Sequence, residues 1–236
     1  MIRAVVSCEH ASDAVPRRYR ERLRIPARVL QSHRGSDSGS LALARRLAKR
    51  LDAPLVAARA TRLLVDANRS LHHPRVFSSW SERLSATDRE RAVREHWQPH
   101  RDGVVAAVQR LVDAGERVLH LSVHSFTPRF AGEVRAIDVA LLYDPSRAFE
   151  REFAAAWLAA LGARRQDLRL RRNAPYRGTS DGLTTALRQR FPAKVYAGIE
   201  LEVSQRFPKG PPGAWRRLCG DLVATTAAVL GDPDVA

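Results

Sequence analysis

The chain has 236 residues, of which 44% are hydrophobic and 28% charged, and this composition suits one α/β domain with a sizeable core. No run approaches the roughly 20 apolar residues of a membrane helix, and the N-terminus reads as a strand rather than a secretory leader, so we expect a cytoplasmic protein without a membrane partner. Cys8 and Cys219 stand at opposite ends of the chain, which argues against a disulfide framework or a zinc knuckle. We expect Cys8 to be a small buried core residue.

The formal net charge of +15 raises the question of nucleic-acid binding. Only Lys49, Lys194 and Lys209 are lysines among the 40 basic residues, which leaves 37 arginines spread over the whole chain. The even scatter of the arginines and the high ratio of arginine to lysine are typical of a coding bias. They do not indicate a phosphate-binding surface. We therefore expect no specific nucleic-acid partner.

Strand-length apolar runs alternate with stretches of helical periodicity, which predicts an α/β fold with a largely parallel sheet. In chain order, the predicted strands are residues 4–8, 55–58, 63–66, 118–123, 137–143 and 196–203. The predicted helices are residues 41–51, 86–114, 148–161, 183–191 and 214–230. No repeat or long linker divides the chain, so one domain is predicted over residues 1–236, and the prolines of residues 208–212 delimit the last helix.

Polar residues follow several of these strands, at the edge where open α/β sheets bind ligands. Residues 9–13 follow the first strand, residues 66–69 span the end of the third and residues 122–125 the end of the fourth, while Glu200 and Glu202 belong to the last strand. Histidines, carboxylates, an asparagine and an arginine are thus expected together. This set of side chains is typical of a hydrolase.

Two of these side chains, together with Asp37, make a candidate metal site. His124 and His10 each follow a strand, and Asp37 lies in a polar loop just before a helix. Two imidazoles and one carboxylate with an open fourth position are the ligands expected of a catalytic divalent metal, most often zinc. His33 and Asp13 are alternative ligands.

Glu200 and Glu202 alternate with apolar residues and so project from one face of a strand. Carboxylates on an apolar strand are costly to bury unless they serve a charge or a proton. One of them can act as general base towards a metal-activated water and then protonate the departing amine. The alternative is an edge strand with a solvated polar face.

Residues 62–69 end in Asn68-Arg69, and a guanidinium fork is well suited to hold a carboxylate. The pair predicts a binding site for an anionic substrate.

Seven segments taken together resemble the N-formylglutamate amidohydrolase family over nearly the full chain. They are CEHASDAVP (8–16), the Asp-x-Gly at 37–39, RLLVDANRS (62–70), LHLSVHSFTP (119–128), IDVALLYDP (137–145), NAPYRGTSDG (173–182) and GIELEVSQ (198–205). The resemblance implies a single-domain, mixed and mostly parallel sheet flanked by helices. This fold is zinc carboxypeptidase-like (phosphorylase/hydrolase-like) and is shared with aspartoacylase.

The resemblance also implies roles for individual residues. The implied metal ligands are His10, Asp37 and His124. Glu202 is the preferred catalytic base and Glu200 the reserve candidate. The implied substrate-binding residues are Asn68, Arg69, Asn173 and Tyr176.

The sequence departs from the carboxypeptidase-like pattern at two places. The H-x-x-E motif is missing because Asp13 stands three positions after His10, which leaves the second ligand open between Asp37, Asp13 and His33. Residues 96–101 match the family's Pro-Tyr-His stretch only loosely, which leaves open whether His100 meets the substrate.

The expected function is a metal-dependent amidohydrolase, with one zinc or other divalent ion per chain, that cleaves the amide bond of a small N-acyl acidic amino acid, in particular an N-formyl one. One alternative is a basic polyanion- or nucleic-acid-binding α/β protein with a vestigial site. Another is a zinc hydrolase of peptide or cell-wall amides. The oligomeric state is left open.

Overall fold

A six-stranded mixed sheet forms the centre of residues 2–231, the residues that the computed structural model describes; residues 1 and 232–236 of the predicted domain lie outside them. Its strands are β1 (Ile2–Cys8), β2 (Leu55–Ala57), β3 (Arg117–Phe126), β6 (Val139–Leu142), β7 (Leu170–Arg172) and β8 (Tyr196–Ser204). Their order is β2-β1-β3-β8-β6-β7. The first four in this order are parallel, β6 is antiparallel to β8, and β7 is parallel to β6. The predicted mixed, mostly parallel α/β sheet is confirmed.

Helices cover both faces of this sheet. They are α1 (Arg17–Leu23), α2 (Ala27–Leu30), α3 (Ser40–Arg50), α4 (Ala86–Ala92), α5 (Gln98–Asp113), α6 (Ala148–Arg164), α7 (Leu183–Arg190) and α8 (Pro212–Val229). Buried residues of α3, α6 and α8 pack on one face, and those of α5 and α7 on the other. None of the helices within residues 2–231 is both long and apolar enough to cross a membrane.

The two central strands carry different chemistry on their two faces, because successive side chains of a strand point to opposite sides. The face towards α3, α6 and α8 is apolar and includes Leu119, Leu121, Val123, Ile199, Leu201 and Val203. The alternate positions of β3 and β8, which face the other way, carry His120, Ser122, His124, Glu200 and Glu202. Polar side chains therefore lie side by side on one face of the sheet while the other face stabilises the fold.

The predicted strand at residues 63–66 is wrong. These residues form a turn outside the sheet, in which the Leu64 N–H donates to the Thr61 carbonyl and the hydroxyls of Ser78 and Ser81 donate to the Leu63 carbonyl. Leu64 and Val65 are buried in a separate apolar cluster together with Tyr19 of α1. The apolar run therefore marks burial and not sheet pairing, a case that periodicity in a short run cannot distinguish.

The other predicted elements exist with shifted ends. The predicted helix at 86–114 is α4 and α5 joined through a π-helical turn at Val93–Trp97. Short elements were not predicted, among them α1, α2, β7 and an antiparallel hairpin formed by β4 (Arg129–Phe130) and β5 (Glu133–Val134). The hairpin turn has positive φ at Ala131 and Gly132, a conformation that suits tight hairpin turns.

Candidate metal and substrate site

A cavity of about 720 Å³ opens at the ends of the parallel strands. It brings together most of the predicted site residues, namely His10, Asp37, His124, Glu200, Glu202, Asn68, Arg69, Tyr176 and His33. A cavity of this size accommodates a small molecule.

Three donor side chains converge in this cavity. One ligand atom from each of His10, Asp37 and His124 lies within 4.8 Å of the other two, and all three residues are buried. His10 follows β1, His124 belongs to β3, and Asp37 precedes α3. The Asp37 Oδ2 atom lies 3.3 Å from Nδ1 of His10 and 3.0 Å from Nδ1 of His124, so both imidazoles turn the same nitrogen towards one carboxylate oxygen.

A second carboxylate stands behind each imidazole. Nε2 of His10 lies 2.8 Å from Oδ1 of Asp66, and Nε2 of His124 lies 3.0 Å from Oε2 of Glu9. Such carboxylates fix the tautomer and orientation of ligating histidines and make them more basic. The arrangement therefore leaves Nδ1 of each histidine for a ligand.

Glu9 is held in place by further contacts. The Ser122 hydroxyl donates to its Oε2 at 2.6 Å, and Nε2 of His100 lies 3.3 Å from its Oε1. Glu9 is 1% exposed. His100 thus lies behind His10, Asp37 and His124 and not in the cavity lining.

The electrostatics of the cluster favour positive charge between the carboxylates. Burial favours neutral Asp37, but His10 and His124 hold its pKa well below the usual range. Burial opposes protonation of His124, yet its hydrogen bonds with Asp37 and Glu9 raise its pKa well above normal. Glu9 also has a lowered pKa despite its burial, because His100 and His124 stabilise its charged form. The pKa of Asp66 is lowered in the same way by Arg62 and His10.

Glu202 differs from these carboxylates because it has an atom without a partner. Its Oε2 atom is buried and accepts no hydrogen bond within the described residues. Burial, with further repulsion from Asp37 and Glu200, raises the pKa of Glu202 to about 8, although His124 opposes the shift. Glu202 is directly opposite His124 in the β3–β8 ladder.

Glu200 lies on the same face, as predicted, but its carboxylate is engaged: Oε1 accepts a hydrogen bond from the Thr184 hydroxyl at 2.6 Å. β8 is a central strand, paired with β3 and β6. The alternative of a solvated edge strand is therefore wrong.

Asn68 and Arg69 reach the cavity from the loop after residue 66. The Asn68 Oδ1 atom accepts from the Leu183 N–H at 2.8 Å, which directs its amide NH₂ away from that contact. One Arg69 nitrogen donates to the Asp181 carbonyl at 2.9 Å, and the Asp181 carboxylate is 4.0 Å away. The guanidinium of Arg69 is thus held at one nitrogen, and its other N–H groups remain available to donate to a ligand.

Comparison with known proteins identifies the family. A family model described as N-formylglutamate amidohydrolase matches residues 2–207. The chain belongs to the N-formylglutamate amidohydrolase family. The chain is therefore a hydrolase that acts on carbon–nitrogen bonds other than peptide bonds. No curated protein gave a significant match.

Two solved structures are similar to this amidohydrolase over almost their full lengths. A gene product from Agrobacterium tumefaciens shares 29% identity with a TM-score of 0.83, and the match covers 98% of this chain and 91% of that one. An N-formylglutamate amidohydrolase from Ralstonia eutropha shares 18% identity with a TM-score of 0.74, covering 99% and 94% respectively. The similarity to the Ralstonia eutropha structure supports the assignment of the α/β fold.

The remaining predicted residues of the amidohydrolase lie in different surroundings. Tyr176 lines the cavity, whereas the Asn173 side chain accepts hydrogen bonds from the backbone N–H groups of Tyr143 and Gly178 and is not part of the lining. His33 is exposed at the cavity, and Asp13 is exposed outside it. The geometry therefore favours Asp37 over both alternative ligands.

Cys8 is fully buried, as predicted, and burial raises the pKa of its thiol to about 12. Its thiol donates to the Ser40 hydroxyl at 3.2 Å.

Sequence reasoning assigned no role to Glu9, Asp66 or Ser122. The only signal in the sequence is that they are polar residues at or next to the ends of predicted strands.

Proposed function

We propose that this protein is a metal-dependent amidohydrolase that removes an acyl group, in particular a formyl group, from the nitrogen of an acidic amino acid. The observation that carries the proposal is the convergence of His10, Asp37 and His124 beside Glu202, whose buried Oε2 atom has no hydrogen-bond partner among residues 2–231. The substrate-binding pair at residues 68–69 lines the same cavity.

The side chains present fit a divalent metal. Two imidazole nitrogens and one carboxylate oxygen are the ligands of a catalytic zinc site, and the carboxylates of Asp66 and Glu9 hold the outer nitrogens of the histidines. When bound, the metal lowers the pKa of a water molecule and polarises the amide carbonyl. Zinc suits this ligand set, and one ion per chain is proposed.

Glu202 is the proposed general base. Its raised pKa, about 8, lies close to neutrality, which suits a group that must both take and return a proton. It accepts the proton of the attacking water and transfers it to the nitrogen of the departing amino acid. Glu200 is anchored by Thr184, so we assign it a positioning role.

Arg69 and Asn68 hold a carboxylate of the substrate. The Arg69 guanidinium has an orientation set by the Asp181 carbonyl, and its remaining N–H groups match the geometry of a carboxylate. The Asn68 amide supplies a neutral donor beside it. Fixing the carboxylate places the neighbouring amide bond at the catalytic residues.

The test is hydrolysis of N-formylglutamate by zinc-loaded protein, with Glu202→Gln and Glu200→Gln compared at equal metal content. We expect Glu202→Gln to lose at least about 100-fold in kcat and Glu200→Gln to lose less, since removal of a general base costs roughly 100- to 10,000-fold. His124→Ala should lose the metal.

A larger loss in Glu200→Gln would reverse the two assignments, and negligible loss in both would remove β8 from the mechanism. Full metal occupancy in His124→Ala would show that His124 is not a ligand. Short peptides and cell-wall amides in the same assay test the alternative substrate classes, since turnover of these alone would contradict the proposal.

A further inference from the structure

Six arginines line the cavity, and they differ in whether a carboxylate neutralises them. Arg62 pairs with Asp66 at 2.9 Å, and Arg69 lies near Asp181. The other four make no ion pair with any carboxylate of residues 2–231; they are Arg34, Arg75, Arg135 and Arg177. The cavity therefore has an excess of positive charge suited to an anionic ligand.

Arg135 is distinguished by the way in which its guanidinium is held. The guanidinium carbon lies 4.6 Å from the ring centre of Phe130, 5.2 Å from that of Tyr176 and 6.0 Å from that of Phe126. One of its nitrogens also donates to the Tyr176 hydroxyl at 3.1 Å. These rings come from the end of β3, the adjoining β4–β5 hairpin and residues 173–182, so two stretches that are distant in sequence fix one cation.

This support has a consequence for binding. Stacking on aromatic faces holds the plane of the guanidinium but leaves the N–H groups at its edge available. Because the side chain is already ordered, a carboxylate that binds it loses little of the binding free energy to immobilising a flexible arginine. Arg34, Arg75 and Arg177 are exposed, whereas Arg135 is half-buried, so solvent and salt screen Arg135 less.

The exposed rings support the same interpretation. Phe130 is 51% exposed and Tyr176 is 43% exposed, and both line the cavity. Exposed aromatic surface at a cavity is characteristic of a binding site.

We propose that Arg135 binds a second carboxylate of the substrate, separate from the one held by Asn68 and Arg69. Arg135 thereby selects N-acyl amino acids with an acidic side chain over those with a neutral one. This inference rests on the proposed function and assigns its specificity to one residue.

The test compares kcat/KM for N-formylglutamate and for N-formylglutamine, which replaces the second carboxylate by a neutral group of similar shape. The unmodified protein should prefer the glutamate compound. Arg135→Gln should reduce that preference by about 10- to 100-fold, the range expected for a hydrogen-bonded charge pair, because kcat/KM falls more for the glutamate compound than for the glutamine compound. Phe130→Ala, which removes one supporting ring, should give an intermediate loss.

Two arginines serve as matched controls. Arg129→Gln changes an exposed residue of the same hairpin that does not line the cavity, and it should leave the preference unchanged. Arg177→Gln removes a cavity arginine without aromatic support. A loss in Arg177→Gln as large as that in Arg135→Gln would assign the preference to the general potential of the cavity and overturn the proposal.

Calorimetric binding of glutarate and of butyrate separates this inference from the proposed function, because it needs no turnover. Selective glutarate binding that Arg135→Gln abolishes, in a protein that hydrolyses no N-acyl amino acid, would uphold the role of Arg135 in dicarboxylate binding and refute the amidohydrolase proposal. Hydrolysis with no preference for the glutamate compound, or with a preference that Arg135→Gln retains, would refute the role of Arg135.

Discussion

Replacing Glu9 by glutamine removes a negative charge from behind His124 while it keeps the length of the side chain. In the native site Oε2 of Glu9 lies 3.0 Å from Nε2 of His124 and accepts the Ser122 hydroxyl at 2.6 Å. The amide oxygen of glutamine can accept one of these hydrogen bonds, but as a neutral group. We therefore expect Glu9→Gln to fold and to bind metal more weakly.

The size of the effect follows from the change in charge. A hydrogen bond to a charged group contributes about 1 to 1.5 kcal/mol more than a neutral one, which corresponds to about tenfold in the dissociation constant. Loss of a carboxylate behind a ligating histidine usually costs 10- to 100-fold. Glu9 also stabilises the protonated form of His124, with which a metal must compete, so we expect the lower part of this range.

The assay is competition with a chelator for Zn²⁺ at fixed pH, with circular dichroism as a check of folding. Asp138→Asn is the matched control, because it also removes a buried carboxylate but lies outside the cavity lining. The control should leave the dissociation constant unchanged. A folded Glu9→Gln protein with an affinity within about twofold of the unmodified one would refute the orienting role of Glu9.

Two further predictions concern substrate binding and acid stability. Arg69→Lys should raise KM for N-formylglutamate about tenfold or more at unchanged metal content, because an ammonium group cannot reproduce the forked geometry of a guanidinium. Unchanged kinetics would refute the carboxylate-binding role of Arg69. Burial opposes ionisation of Asp138, but Arg169 and Arg206 lower its pKa from 3.8 to about 2. Its carboxylate thus stabilises the fold above about pH 4 and ceases to do so as the pH falls towards 2, so Asp138→Asn should lower the free energy of unfolding by about 1 to 2 kcal/mol at pH 7. Urea unfolding at pH 7 and pH 3 should show this difference shrink; a difference that is constant with pH would contradict the assignment.

The position of the triad could be predicted from the sequence because it depends on one general property of α/β sheets. His10 and His124 come at the carboxyl ends of apolar runs, and such ends meet at one edge of an open sheet. Asp37 is a candidate because it lies in a polar loop just before a helix and in the Asp-x-Gly segment of the family resemblance, and no spacing rule connects it to the histidines. The structure brings the three together.

The supporting residues could not be predicted in the same way. Glu9 precedes His10 directly, and which of two neighbours at a strand end faces the site depends on the strand order and the local turn. Asp66 is the last residue of a predicted strand that does not exist, so its contact with His10 follows from tertiary packing of the turn. Arg135 lies outside every predicted element, and one of its aromatic partners, Tyr176, comes from a distant segment.

His124 and Glu202 occupy paired positions on adjacent parallel strands at the centre of the sheet. Neighbouring strands are about 4.8 Å apart, and this spacing is maintained by backbone hydrogen bonds that no side chain controls. The distance between the proposed metal ligand and the proposed base is thus a property of the backbone. Insertions in the hairpin or in the loop at 173–182 can reshape the mouth of the cavity without altering that distance, so relatives can diverge in substrate while they share one reaction.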